Sequence, residues 1–361
     1  MAKISLCMIV KNEEKVLRRC LDAAKRFADE IIVVDTGSDD STREIARAYT
    51  DKVYDFEWNY DFSAARNYSF SKAESEYVMW LDADDVVRDE ETVKINAWKK
   101  NPDADTLYCF YDASFDSNGN PTFTFMRERI MKNDGRAVWK GFIHECVAPF
   151  GKVVKGDIRI EHRPLPDKPK KIDRNLEIYR KNIQKGVRLN ARDRFYYGKE
   201  LLTNGYTEEG ILMIESMLNM HGAFYVNKIE GLRLIGDAKH RLGDSTGAKK
   251  AYVMSFVYGA PRAGALNGLG RLAKEDEDYA EAALWFNAAL NCADHSREGD
   301  FERAEERGLF PYIELSCCLW RLNRREEAFE MHKKAAALAP DHPSVKYNEK
   351  FFSEYFGNLK K

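Results

Sequence analysis

The chain has 361 residues, and its 57 Lys and Arg nearly cancel its 59 Asp and Glu, leaving a formal net charge of −2. That balance gives no global field to draw in nucleic acid or an anionic membrane, and the length exceeds what one ordinary core fills, so two domains are expected. No stretch approaches the roughly 20 apolar residues of a membrane span, and the apolar run within Met1 to Val10 stops at Lys11-Asn12-Glu13-Glu14, too early for a secretion signal.

Seven cysteines without any Cys-x-x-Cys spacing read as buried thiols of a reducing, cytoplasmic compartment. Ile4 to Val10 is an apolar run that predicts a strand, Glu13 to Phe27 carries helix-spaced Val16, Leu17, Cys20 and Leu21, and the β-branched run Glu30 to Val34 ends at Asp35. This is a βαβ unit. Turn residues Thr36 to Asp40 follow; Ser41 is placed to cap a helix over Thr42 to Tyr49, and a short strand is expected at Lys52 to Phe56. A helix over Ser63 to Ala73 then leads to Tyr77-Val78-Met79-Trp80-Leu81, apolar throughout and so predicted to be central in a parallel sheet. Asp82-Ala83-Asp84-Asp85 lies at its carboxyl end. Ligands of open α/β sheets sit beyond the carboxyl ends of strands, so Asp35, Asp82 and Asp84 are expected to converge on one crevice.

From Asp105 to His162 the pattern turns to alternating aromatic-rich segments, Thr106 to Tyr111 and Pro121 to Met126, joined by the turn Asp116-Ser117-Asn118-Gly119-Asn120. An antiparallel extension is expected there. Pro164, Pro166 and Pro169, with Lys168, Lys170 and Lys171, continue neither sheet nor helix easily and mark a boundary. Beyond Asp173 the periodicity is helical and repeats. Tyr312, Leu315, Ser316, Leu319, Ala328, Ala335 and Pro340 form one copy; Leu266, Leu269, Gly270, Ala282, Phe286 and Ala289 form another. Leu232, Ile235, Gly236, Ala248 and Tyr252 make a third, Gly198 and Gly210 a weaker first, with an insertion around Cys292 to Arg307. This is the tetratricopeptide (TPR) pattern, in which small residues let paired helices approach and large ones fill the space beside them. The division expected is residues 1–165, a linker and first helix over 166–190, and a helical array over 191–361.

Closely spaced aspartates at a strand end suit Mg²⁺ or Mn²⁺, which prefer carboxylate and phosphate oxygens. If the segment stays extended, Asp82 and Asp84 point the same way. Taken alone, D-x-D is a common turn. Here it follows Met8-Ile9-Val10-Lys11-Asn12-Glu13-Glu14, Val33-Val34-Asp35-Thr36-Gly37-Ser38-Asp39-Asp40-Ser41-Thr42 and Ala65-Arg66-Asn67, and in that order the motifs resemble family 2 glycosyltransferases of the GT-A fold over about residues 3–165. The resemblance implies a Rossmann-like domain with a mixed sheet that binds a nucleotide sugar, a UDP-sugar by family frequency, together with Mn²⁺ or Mg²⁺. Val10, Asn12, Glu14, Asp35, Thr36, Arg66, Asp82, Ala83 and Asp84 would line that site. Asp35 would accept the base's ring N–H, Glu14 would lie by the base or ribose, Arg66 would contact the nucleotide, Asp82 the ribose, and Asp84 the metal, with Asp82 a further ligand.

Trp139-Lys140-Gly141-Phe142-Ile143-His144-Glu145 resembles the W-x-G-x-x-H-E element of a bacterial subset of that family. An inverting displacement needs a base for the acceptor's proton. Glu145 is expected in that role, with His144 orienting it or contacting the diphosphate, and Asp85 a rival base. His162, ending an alternating strand, is expected as a third protein ligand to the metal, with a packed structural histidine the equal alternative.

The pairing of such a domain with TPR-like helices resembles the bacterial peptide glycosyltransferases of the sublancin type. It implies a hexose moved to a peptide or protein acceptor docked on the helical array, whose surface also suits pairing into a homodimer. A transferase acting on a glycolipid or surface polysaccharide, and a non-catalytic TPR scaffold, are the two rival classes.

Overall fold

Strand β1 (Ile4–Val10) divides its side chains between two apolar layers, which places it inside a sheet and not at an edge. Ile4, Leu6, Met8 and Val10 join one core with Leu17 and Leu21 of helix α1 (Leu17–Ala24). Cys7 faces the other core, with Ile32 and Val34 of β2 (Glu30–Asp35) and Val78 and Trp80 of β4 (Tyr77–Trp80). In this computed structural model all residues are described except 117, 166–172, 296–300, 302, 360 and 361. Two compact units result, Met1–Leu189 and Asn190–Lys361.

The first unit is built on an eight-stranded sheet of order β3-β2-β1-β4-β7-β6-β10-β5, with β3 (Val53–Asp55), β5 (Asp85–Val86), β6 (Thr106–Phe115), β7 (Pro121–Lys132) and β10 (Val153–His162). The first four in that order run parallel, whereas β7 is antiparallel to both β4 and β6 and β5 is antiparallel to β10. The sheet is therefore mixed, and β4 is central with every residue buried, as its apolar run predicts. Because β2, β1 and β4 are parallel neighbours, Asp35, Val10 and the segment after Trp80 leave from one edge. Two strand spacings, about 10 Å, separate the end of β2 from the end of β4.

Several elements depart from the sequence reading. Helix α1 begins at Leu17 and not at Glu13, because Glu13 and its neighbours form a turn, with Val16 N–H donating to Glu13 O at 3.1 Å. Ser41 stands at the start of α2 (Thr42–Arg47) but its side chain does not cap; Asp40 Oδ1 takes the Thr42 N–H at 2.9 Å instead. Helix α4 (Asp89–Lys100) was not anticipated, although it carries Asp89, Glu90 and Glu91 in its first turn and Lys99 and Lys100 in its last, the arrangement a helix dipole favours. A separate hairpin pairs β8 (Trp139–Lys140) with β9 (Cys146–Val147). Of the expected linker, Pro166, Lys168, Pro169, Lys170 and Lys171 lie outside the described residues, as does Ser117 of the expected turn. Helix α5 (Arg174–Gln184) belongs to the first unit: its Tyr179 ring meets Phe142 at 5.1 Å, and Asn182 Nδ2 donates to Tyr60 O at 2.9 Å.

The second unit is a succession of helical hairpins, α6 (Ala191–Thr203) with α7 (Thr207–Leu218), α8 (Tyr225–Arg241) with α9 (Ser245–Ser255), α10 (Ala263–Glu275) with α11 (Tyr279–Asn291), and α12 (Leu309–Arg321) with α13 (Arg325–Leu338), then α14 (Pro343–Leu359). The TPR-like repeat explains its packing. A Cβ on Gly236 would sit 2.4 Å from the Tyr252 ring, and one on Gly270 would sit 2.7 Å from the Phe286 ring, so each glycine is the socket for the aromatic of its own hairpin. Of the expected insertion, residues 304–307 form a short 3-10 helix, while 296–300 and 302 are outside the described residues. All seven cysteines are free, and burial pushes the Cys109 thiol up to about 12, so that thiol is inert.

Candidate active site

The tip of β2 is stitched to the turn after β1. Thr36 N–H donates to Val10 O at 2.9 Å, Asn12 N–H to Ser38 Oγ at 3.0 Å, and Asp39 N–H to Asn12 Oδ1 at 3.0 Å. Asn12 takes a left-handed backbone, φ 56°, which asparagine tolerates better than most residues. Glu14 is drawn into the same stitching, accepting the Ser41 N–H through Oε2 at 3.2 Å. Asp35 is buried. Its Oδ1 accepts from Gly37 N at 2.9 Å, Ser38 N at 2.8 Å and Arg43 Nε at 3.0 Å. Burial works to raise this carboxyl, but the Ser38, Gly37 and Arg43 bonds outweigh it and hold the group below its ordinary range. The other oxygen, Oδ2, is buried without a hydrogen-bond partner among the described residues, an open acceptor at a strand tip.

After β4 the chain does not stay extended, so Asp82 and Asp84 do not share one direction as expected. Asp85 N–H donates to Asp82 O at 3.0 Å and Asp82 N–H to Asp85 Oδ2 at 3.0 Å, closing a tight turn. The cause is Asp85, whose fully buried carboxylate accepts from Arg129 Nη1 at 2.9 Å and Tyr111 Oη at 2.9 Å. The turn sends Asp82 and Asp84 to different partners.

Asp82 meets Arg66 Nη2 at 2.8 Å. Burial would raise its pKa, and the charges of Arg66 and Arg129 instead bring it down to about 2. Arg66, on α3 (Phe62–Phe70), is only 7% exposed, with its guanidinium carbon 4.8 Å from the Trp80 ring and 4.9 Å from the Trp139 ring. Its Nε donates to Glu145 Oε1 at 2.6 Å. One cation thus links the first aspartate of D-x-D to the glutamate of the β8–β9 hairpin. The next residue, Asn67, secures that hairpin: its Oδ1 accepts the Trp139 N–H at 2.8 Å and its Nδ2 donates to Trp139 O at 3.0 Å, as a neighbouring strand would. Asp61 caps α3 through the Ala64 N–H at 3.0 Å, which aims Arg66 and Asn67 from the helix's second turn. In the hairpin turn Gly141 and His144 both have positive φ, 93° and 51°, and for histidine that conformation is a local strain beside Glu145.

Asp84 lies instead with His162, the last residue of β10, which pairs with Asp85 of β5. His162 Nδ1 is 3.4 Å from Asp84 Oδ1 and 3.8 Å from Asp85 Oδ1. Burial lowers the imidazole's pKa, yet the two carboxylates more than offset this and push it up to about 10. Two carboxylates and an imidazole each offer a ligand atom within 4.8 Å of one another, the one such group of three among the described residues. His162 Nδ1 is buried with no properly aligned hydrogen-bond partner. This donor set, oxygen-rich with one imidazole, fits a divalent cation of the Mn²⁺ or Mg²⁺ kind. Asp85, anticipated as a base, stands in this group where Asp82 was anticipated as a ligand. Arg129, which the sequence reading passed over, anchors Asp85 from behind.

The model for glycosyl transferase family 2 matches residues 5–155. Those residues are a family 2 glycosyl transferase domain. Among relatives, the SPbeta prophage-derived glycosyltransferase SunS of Bacillus subtilis is 27% identical over 233 residues, 61% of this chain and 54% of SunS. A TPR repeat-containing protein of Synechococcus elongatus is 41% identical over 104 residues, 29% of this chain and 26% of that protein. The chain therefore spans about half the length of SunS and about a quarter of the cyanobacterial protein. Among solved structures, Staphylococcus aureus TarS 1–349 is 15% identical, covering 78% of this chain and 89% of that one, with a TM-score of 0.36. Asp35, Arg66, Asp82, Asp84, Asp85 and Glu145 all lie inside the family 2 domain, and His162 lies just beyond the matched residues. No helix among the described residues is long and apolar enough to cross a membrane.

Proposed function

We propose that the chain is an inverting, metal-dependent hexosyltransferase, moving a sugar from a nucleoside diphosphate donor, uridine diphosphate by preference, to a peptide or protein side chain. The observation that carries this reading is the Asp84, Asp85 and His162 group beside the Asp82–Arg66–Glu145 chain of ion pairs. A divalent cation held by Asp84 and His162, with Asp85 behind, would supply positive charge where the leaving diphosphate becomes negative. Asp35 Oδ2, buried and unpartnered, would accept the base's ring N–H. Asp82 would take a ribose hydroxyl while keeping Arg66.

Glu145 Oε would remove the proton of the acceptor hydroxyl or thiol as that atom bonds the anomeric carbon. The bond from that carbon to the diphosphate oxygen breaks, and its electron pair leaves with the diphosphate. Glu145 is preferred to Asp85 as base because Asp85 has no exposed surface and is enclosed by Arg129 and Tyr111, where no acceptor can reach it. Arg66 orients Glu145, and His144 holds the turn from which it projects. The hairpin array supports a polypeptide acceptor, since stacked TPR-like helices present an extended surface suited to one.

The test is incubation with a panel of sugar nucleotides and Mn²⁺, measuring nucleoside diphosphate release with and without peptides. Release that rises with peptide, and falls in Asp84→Asn and His162→Ala unless Mn²⁺ is raised, is expected. Transfer to a lipid or glycan in place of peptide would reassign the acceptor, and no release with any donor would sink the enzymatic reading.

A further inference from the structure

The helical unit contains a cleft of about 450 Å³ walled by α8, α10, α12 and the short 3-10 helix. Asn267, on α10, lines it and is 4% exposed. Its Nδ2 donates to Glu306 O at 2.7 Å, which fixes the amide's orientation, because a flip would set two oxygens against each other. Its Oδ1 then has no partner among the described residues. A buried acceptor left open in a cleft wall asks for a hydrogen-bond donor from a ligand.

The charges of the cleft point the same way. Its lining carries Arg233 and Arg271 against Asp237, Glu305, Glu306 and Glu314. Both guanidiniums are engaged by Asp237, Arg233 at 2.6 Å and Arg271 at 3.1 Å, and Arg233 also pairs with Glu230 at 2.6 Å. Glu314 is paired with Lys274 at 2.6 Å and Glu305 with Arg303 at 3.6 Å, which leaves Glu306 as the lining carboxylate without an ion pair among the described residues. Burial raises the Glu306 carboxyl above the usual range although Arg233 opposes this, so a further cation beside it would be favourable. Leu309 and Phe310 add an apolar stretch of wall, suited to the aliphatic stem of a lysine or arginine.

We infer that this cleft seats a basic segment of a polypeptide, with one of its N–H groups on Asn267 Oδ1 and its cationic head facing Glu306. The inference rests on the reading of the helical unit as the place where a polypeptide acceptor docks. It is tested with the full chain and labelled Gly/Ala peptides carrying Arg, carrying Glu or carrying neither, by fluorescence anisotropy. The Arg peptide is expected to bind most tightly, and Asn267→Ala and Glu306→Gln are each expected to weaken it about tenfold. Glu306→Gln keeps side-chain shape, so it decides the matter if a thermal melt shows that Asn267→Ala has unfolded. Equal or tighter binding of the Glu or neutral peptide, no binding of any, or unchanged affinity in Glu306→Gln would overturn the inference. Donor turnover is measured in the same preparations: its absence with the peptide order intact would remove the enzymatic reading alone, and turnover with no peptide preference would remove this one alone.

Discussion

Arg129 and Tyr252 are both large and fully buried, yet each holds its unit together by different physics. Arg129 lies 3.7 Å from the Trp80 ring and 4.4 Å from the Tyr111 ring and is bonded to Asp85, so its place is set by charge and by ring faces. Tyr252 fits against Gly236 and Gly268, where an added Cβ would come within 2.4 Å of its ring in each case. Its position follows from side chains that are missing. In the sheet unit the groups that maintain the fold are continuous with the candidate site through Asp85 and Arg66. In the helical unit the core is set by shape, and Tyr252 reaches the cleft chemistry through one contact, its Oη donating to the cleft-lining Asp237 at 2.6 Å.

The largest test of this contrast removes a group placed for chemistry. Glu145→Gln is expected to lower kcat about 10²- to 10⁴-fold with little change in donor KM, read from diphosphate release. Next comes a group that serves fold and site together: Arg129→Met strands the buried Asp85 carboxylate and is expected to lower unfolding free energy by about 3–5 kcal/mol in denaturant titrations. Adding Asp85→Asn to it should recover part of the loss, whereas a full loss in the double variant would show that packing and not charge is responsible. Gly236→Ala should cost about 1–2 kcal/mol, the Tyr252 clash exceeding the helix-propensity gain of alanine, while leaving donor kinetics untouched.

The smallest effect is a pH dependence. Asp35 has a folded-state pKa below its ordinary value of 3.8, so its contribution to stability is present above that value and is lost as pH falls through the folded pKa. The stability gap between the parent and Asp35→Asn should be level near neutrality and narrow only in acid. A gap that widened in acid would reverse the sign of the assignment.

The parts of the molecule that sequence alone revealed are those where one local rule decided. The apolar runs of β1, β2 and β4 and the small-large spacing of the hairpins needed no distant partner to be read. Strand β7 shows where this fails. Its aromatic-rich alternation stops at Met126, but the strand runs on to Lys132 because the charges that follow have partners inside, Arg129 with Asp85 and Glu128 with the Val147 N–H at 3.2 Å. The same blindness hid the turn at Asp82 to Asp85, which exists because a residue 44 positions away draws Asp85 inward. A run of alternating charge inside an otherwise apolar strand was the available sign. His162 was a candidate ligand on its place at the end of an alternating strand, with a packed structural histidine the equal alternative, and it ends β10 at 3.4 Å from Asp84.

The two strands flanking the Glu145 turn are only two residues each, too short to persist alone. They are held by Asn67 and Arg66, 72 and 79 positions away in sequence, so the carboxylate gains its orientation only once those distant stretches of chain have met. Warming should release this hairpin by sub-global opening before the sheet itself melts. Turnover would then fade at temperatures where the circular dichroism is still that of the native protein.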